Sequence, residues 1–286
     1  MPPCGRLLRH YYKLEEYMKK TAGIILAVAA VLSAGLVGCK KAQKADNSLE
    51  ELKGRGVFVL GLDDSFPPLG FRDDDNNIVG YDIDLAKEVT ERLGVELKVQ
   101  PIDWAAKEME LATGKIDCIW NGFTITAERE NSLAMTKPYL NNAQILVVRK
   151  DSGISSLSDV SGKIVGLQKG SSAQDAVDAN KEFADSLKSL VYYNDNITAL
   201  NDLELGGVDA VVMDSVVAAY DISVSNKPLV IADEVLADEA YGIGFRKADV
   251  KLRDEVQRIL EELEKDGTVE SISQKWFGRT ISVIGK

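Results

Sequence analysis

Between Asp117 and Leu140 the chain reads DCIWNGFTITAERENSLAMTKPYL, and this stretch holds the clearest chemistry in the sequence. An apolar run, Ile116 to Trp120, leads into Asn121-Gly122, then into hydroxyls at Thr124 and Thr126, then into Arg129. A buried strand that ends in a polar loop delivers side chains to a site. Arginine carries a planar fork that pairs with a carboxylate through two parallel hydrogen bonds, Gly122 lets a ligand approach the main chain, and Thr124 adds a hydroxyl. These residues outline a carboxylate clamp, with Asn121-Gly122 expected to turn the chain. A surface loop bearing a solvated arginine is the alternative they leave open.

The elements that must position such a clamp follow from periodicity. From residue 56 onward short strands alternate with helices, the pattern of an α/β protein with mostly parallel sheets. Val57 to Leu62 is predicted as a strand ending at Asp63-Asp64-Ser65-Phe66. Asp73 to Asn77 reads as a turn. Asp82 to Leu93 reads as a helix stopped by Gly94, and Val95, Leu97 and Val99 alternate with polar residues as a half-buried strand. A helix from about Trp104 to Thr113 leads back to the clamp. Ala143 to Arg149 is an extended apolar run, expected to cross into a second lobe. There Ile164 to Leu167 opens into Gln168-Lys169-Gly170-Ser171-Ser172, with Ser172 expected to cap the next helix. Leu229 to Ile231 is predicted as the last strand of that lobe, with a return near Ala240-Tyr241-Gly242. Val250 to Lys265 has Leu252, Val256, Ile259, Leu260 and Leu263 on one face, so this helical tail is expected to pack on the first lobe.

Leu203 to Asp214 (LELGGVDAVVMD) echoes Leu111 to Gly122 (LATGKIDCIWNG), which implies two similar half-structures. Polar loops fall beyond the carboxyl ends of predicted strands at Asp63 to Phe66, Asn121 to Thr124, Gly170 to Ser172 and Asp214. Ligands of open α/β sheets bind at those ends, so a cleft between two lobes is the expected site. The expected division is 51–143 with 240–286 for lobe one and 144–239 for lobe two.

The string NGFTITAER, followed by TKPY, resembles the signature of the family 3 extracellular solute-binding proteins, the polar amino acid receptors of ABC importers. The resemblance extends from about residue 50 to about 280, with Met135-Thr136 where the family usually has Phe-Ser. It implies the two-lobed periplasmic-binding-protein-like fold (type II), each lobe a mostly parallel sheet flanked by helices. It also implies roles. Arg129, Thr124 and the amides of Ser171 and Ser172 would take the ligand's α-carboxylate; Asp214 and the Gly122 carbonyl would take its α-ammonium. Phe66 and Trp104 would form the walls of the pocket, while Trp120 is expected in the core. By position Asp63, Gln168 and Met213 would face the ligand side chain, and Asn121 belongs to the same loop set. None of the three readers is cationic. An uncharged polar or basic amino acid is therefore favoured over Asp or Glu.

Export is written at the front of the chain. Lys19-Lys20 precede an Ala/Gly/Val-rich run from Thr21 to Gly38, which ends in Leu36-Val37-Gly38-Cys39 like a bacterial lipobox. Cys39 is the expected lipidation site, residues 1–38 the signal region, 1–17 an upstream extension, and 39–50 a tether. The extracytoplasmic face of the membrane is the expected location.

The 286 residues, 45% hydrophobic and 28% charged, suit a two-lobed globular protein. Removing residues 1–38 takes away five cationic and two anionic side chains, moving the net charge from -11 to -14 and disfavouring nucleic acid as a partner. His10, the single histidine, lies in that leader. The mature chain therefore lacks the residues for histidine-based catalysis or a Cys/His metal centre, and no cofactor is expected. Expected partners are an L-amino acid, the membrane and a permease, with the receptor itself a monomer. An enzyme of the same fold, of the cyclohexadienyl or arogenate dehydratase type, is the alternative; its general acid or base would come from Asp63, Asp64, Glu108 or Lys169.

Overall fold

A computed structural model describes residues 45–286, and the readings made for the signal region and Cys39 lie outside them. The strands are β1 (Val57–Leu62), β2 (Ser65–Phe66), β3 (Gly70–Arg72), β4 (Ile78–Val79), β5 (Glu96–Pro101) and β6 (Cys118–Thr124). They continue as β7 (Leu133–Met135), β8 (Leu140–Arg149), β9 (Ile164–Gln168), β10 (Ser189–Tyr193), β11 (Ala210–Asp214) and β12 (Leu229–Arg246). The main sheet runs β10-β9-β11-β8-β12-β6-β1-β5, with β7 on β12, while β2, β3 and β4 form a small separate sheet.

The internal echo is a structural repeat. In one half β5, β1 and β6 lie parallel, bordered by antiparallel β12; in the other β10, β9 and β11 lie parallel, bordered by antiparallel β8. Asp117, just before β6, donates its N–H to the Val59 carbonyl and accepts the Val59 N–H on its carboxylate at 2.8 Å. Asp209, just before β11, does the same with Ile164 of β9, at 2.9 Å for the carboxylate bond. Each crossing strand ends in an arginine that staples the same turn. Arg246 donates to the Leu111 and Ile116 carbonyls, and Arg149 donates to the Leu203 and Val208 carbonyls. Buried main-chain carbonyls need donors, and a cation at this corner serves two at once.

Two elements differ from their predicted form. Asn121-Gly122 lies inside β6, with no turn there. Gly122 takes a φ of 54°, and the register against β12 shifts opposite Gly242 and Gly244, so the chain bulges and continues to Thr124. The short predicted strand at Leu229–Ile231 is the start of one long strand that runs through the return crossing to Arg246. β12 pairs with β8 from Leu229 to Tyr241, with register shifts around Val235, and with β6 beyond, because long strands lying side by side satisfy each other's main-chain groups.

The tail packs as its periodicity implies. Helix Val250–Lys265 buries Leu252, Val256, Ile259, Leu260 and Leu263 and lies on helices Tyr81–Leu93 and Ser48–Arg55. The folded body starts at Asp46, whose carboxylate accepts the Ser48 and Lys251 N–H groups, so the predicted tether to residue 50 is already structured at its end. Among the described residues no helix is long and apolar enough to cross a membrane.

Candidate functional site

Asp63, Phe66, Trp104, Asn121, Gly122, Thr124, Arg129, Gln168, Ser171, Ser172 and Asp214 line one cleft of about 280 Å³, measured out to its mouth. The structure brings these predicted residues together and leaves out Met213, the third expected side-chain reader: it points into the core and is fully buried away from the cleft, because neighbouring residues on β11 face opposite sides.

Arg129 owes its position to Thr126. The Thr126 hydroxyl accepts the Arg129 N–H at 3.2 Å as N-cap of helix Ala127–Ser132, and this cap sets Arg129 one turn in. Arg129 is only 5% exposed, and its guanidinium has defined neighbours. It lies over the Phe123 ring, 4.3 Å from the centroid, donates to the Thr124 carbonyl at 2.8 Å, and reaches Asp175 of helix Ser172–Ala179 at 3.6 Å. One carbonyl and a distant, exposed carboxylate leave most of its five donors free for a ligand.

Gly122 is held from behind. Its N–H donates to Asp82 Oδ2 at 2.9 Å, and the Tyr139 hydroxyl donates to the same oxygen at 2.9 Å. A Cβ at this position would lie 2.8 Å from both Leu69 and Phe66, so glycine is required for packing as well as for its φ. Burial raises the Asp82 carboxyl to about 7. Trp104 meets Phe123 edge-on with centroids 5.9 Å apart, joining one wall of the cleft to the ring beneath Arg129. Trp120 is core, as expected.

Across the cleft, Ser171 is the N-cap residue of helix Ser172–Ala179 and Ser172 its first turn, one residue off the predicted cap. The Ser171 hydroxyl donates to the Gln168 carbonyl, whereas the Ser172 hydroxyl meets Thr124 Oγ1 at 3.0 Å. Gln168 Nε2 donates to Asp63 Oδ2 at 2.7 Å, and Lys107 Nζ donates to the Gly170 carbonyl at 2.7 Å. Polar contacts thus join the two sides of the cleft. Burial raises Asp63 to about 6 despite the donors it receives from Ser65 and Gln168.

Asp214 sits at the N-cap of helix Ser215–Ser225, yet its side chain makes no capping bond. Its Oδ1 instead accepts from Asn142 Nδ2 at 2.7 Å, Tyr241 Oη at 2.8 Å and Gln144 Nε2 at 3.0 Å. Burial, and then the nearby Glu239 carboxylate, push its pKa up. A buried anion raised in this way gains most from a cation. Asn142, Gln144, Tyr241 and Glu239 are the neighbours of Asp214 that sequence reading missed. The available signal was Asn142 and Gln144 at alternate positions leading into an apolar run, on one face of β8 and both nearly fully buried.

The family of bacterial extracellular solute-binding proteins, family 3, matches residues 58–279, and the chain belongs to it. The L-cystine-binding protein of Escherichia coli K12 is 30% identical over 90% of this chain and 96% of its own. The arginine-binding extracellular protein of Bacillus subtilis is 30% identical over 89% of this chain and 97% of its own. A substrate-binding protein of an ABC uptake transporter from Streptococcus pneumoniae, solved with bound histidine, superposes with a TM-score of 0.81 at 36% identity. That match covers 83% of this chain and 98% of the other. The fold is the two-lobed α/β architecture of amino acid-binding periplasmic proteins.

Proposed function

We propose that the chain is an extracytoplasmic, lipid-anchored receptor that takes a polar L-amino acid between its lobes and delivers it to the permease of an ABC importer. The observation that carries this reading is that Arg129 and Asp214 reach one cleft from opposite lobes, a cation and an anion placed for the two ends of a zwitterion. Arg129 holds the α-carboxylate with the Ser171 and Ser172 amides at a helix start. Asp214 and the Gly122 carbonyl hold the α-ammonium, Phe66 and Trp104 form the apolar walls, and Asn121 and Thr124 complete the floor. Asp63 and Gln168 read the side chain. Burial that raises Asp63 favours a cationic group beside it, so a basic amino acid fits this end best.

Residues 51–143 and 240–286 form lobe one and 144–239 lobe two, with β8 and β12 as the two crossings. Hinge closure around a ligand is the known motion of periplasmic binding proteins, and two long strands crossing side by side suit it. Cys39 supplies the lipid anchor. The receptor acts by binding alone: of the acid–base candidates Asp63, Asp64, Glu108 and Lys169, Asp63 lines the cleft and the others do not.

A thermal-shift panel of the common L-amino acids with cystine tests this reading. Ligand at about 100 times its dissociation constant adds about 2.7 kcal/mol, and a basic amino acid should give the largest shift. A panel without any shift, or turnover of prephenate or arogenate, would overturn it.

A further inference from the structure

One carboxylate oxygen bonded to cleft-lining side chains has more donors than it can hold. Glu239 Oε2, on crossing strand β12, lies 2.9 Å from Thr124 Oγ1, 3.0 Å from Asn142 Nδ2, 3.0 Å from Gln144 Nε2 and 3.3 Å from Ser172 Oγ. A carboxylate oxygen offers about two lone-pair sites, so two of these four donors are in excess. They come from both lobes and from β8. Asn142 Nδ2 and Gln144 Nε2 also donate to Asp214 Oδ1, which places the two carboxylates within about 6 Å of each other, the range in which like charges disfavour one another. Two neutral amides bridge two anions there. The charge is unbalanced, and a cation restores it.

A second observation points the same way. Gln144 is fully buried beside Asp214, and its Oε1 has no donor within reach. An ammonium has three N–H groups and needs three acceptors. Asp214, Glu239 and the Gln144 carbonyl supply three such acceptors in one cluster, joined to the cleft-lining Thr124 and Ser172. The Thr124 hydroxyl has one proton to donate, and Glu239 takes it at 2.9 Å. Its lone pairs are then what Thr124 offers a ligand, which moves it from the carboxylate end to the ammonium end.

We propose that Glu239 is a second acceptor for the ammonium of the bound amino acid, carried on the crossing strand, so that the ligand's positive charge is tied to the segment joining the lobes. This rests on the amino acid-receptor reading. It assigns to the hinge a direct part in recognition: the Glu239 carboxylate bridges Thr124 of one lobe and Ser172 of the other, and the strand carrying it is the one that bends as the lobes part.

The test is calorimetric titration of wild type, Glu239→Gln and Glu239→Asp with L-arginine, L-glutamine and 5-guanidinopentanoate, the arginine analogue without its ammonium. Glu239→Gln keeps shape and hydrogen bonding while removing charge. It should weaken both amino acids by tenfold or more, about 1.4 kcal/mol, and leave the analogue's affinity unchanged, with Glu239→Asp recovering part of the loss. Equal weakening of all three ligands would make Glu239 a structural pillar. Weakening of L-arginine and the analogue with L-glutamine spared would make it a side-chain reader, and unchanged affinities would remove it from the site. Each of these three results overturns the proposal. Failure of wild type to bind any amino acid would instead overturn the receptor reading itself.

Discussion

The two halves of this molecule use one scaffold and finish it differently. In each, a parallel trio is closed by an antiparallel crossing strand, an aspartate clips the second strand to the first, and an arginine staples the preceding turn. The difference lies at the carboxyl ends of the equivalent strands β6 and β11. β6 bulges at Gly122, runs on to Thr124 and leads to a capped helix that presents Arg129. β11 stops at Asp214 and turns at once into a helix whose Ser215 hydroxyl and Val216 amide are met by Asn142 Oδ1 instead. One strand end supplies a cation and the other an anion. A repeat that is symmetric in its frame and opposite in charge at its tips is what recognition of a zwitterion requires.

The largest expected effect comes from breaking the cationic tip. Arg129→Ala should leave a ligand carboxylate buried without its partner, a loss of about 3–5 kcal/mol that takes a micromolar receptor to millimolar affinity or beyond. Arg129→Lys should recover part of it, since a point charge cannot reproduce a forked contact. Asp214→Asn should weaken binding less, because Glu239 shares the ammonium end. The unliganded melting curve of Arg129→Ala should shift by about 1 kcal/mol, reflecting the lost bond to the Thr124 carbonyl and the lost stacking on Phe123. Near wild-type affinity would remove Arg129 from the site.

A second prediction concerns the carboxylates behind the tips. Asp63 is raised to about 6 and Asp82 to about 7, both chiefly by burial, and Asp214 is raised as well. An unfolded aspartate titrates near 3.9, so between about pH 4 and 7 the folded chain binds more protons than the unfolded one. Stability therefore falls as pH rises through that window. The ligand-free protein should melt higher at pH 5 than at pH 8, by on the order of 5 °C. Asp82→Asn should flatten part of the slope, and a melting point that rises with pH across this window would contradict the burial of these groups as free carboxylates.

How much of this was legible in the sequence divides along the same line. Helices with a clean apolar face, such as Val250–Lys265, and strands with alternating or continuous apolar runs could be read directly, since periodicity records which side is buried. The repeat was visible because Leu, Gly, a β-branched residue and Asp recur in order at Leu111–Asp117 and Leu203–Asp209. What could not be read was long-range. Asn121-Gly122 has the composition of a turn, and only its antiparallel partner β12 makes it a bulge. Glu239 lies in a stretch of β12 with acidic residues at Asp233, Glu234 and Asp238, and nothing local distinguishes it from them. Its role comes from Thr124, Asn142, Gln144 and Ser172, which are distant in sequence.

The smallest predicted effect tests the repeat itself. Asp117 and Asp209 make the same bonds to the main chain of β1 and β9, yet their surroundings differ. The Asp117 carboxylate is 2% exposed and also pairs with Arg55 and, at 3.4 Å, with Arg246, whereas Asp209 is half-buried and forms its side-chain bond with the Ile164 amide. If the shared main-chain clip were all that mattered, Asp117→Asn and Asp209→Asn would cost the same, about 1 kcal/mol for a weakened charge-assisted bond. Replacing Asp117 also leaves the Arg246 guanidinium with a neutral neighbour at a partly buried corner, although Asp249, 2.6 Å from its Nε, keeps it paired. The Asp117 variant should therefore be the less stable of the two by about 1 kcal/mol in denaturant unfolding, with ligand affinity unchanged in both because neither carboxylate faces the cleft. Equal costs would assign the stabilisation to the clip alone. A larger cost for Asp209 would mean that the lobes, alike in frame, differ in which one limits the fold.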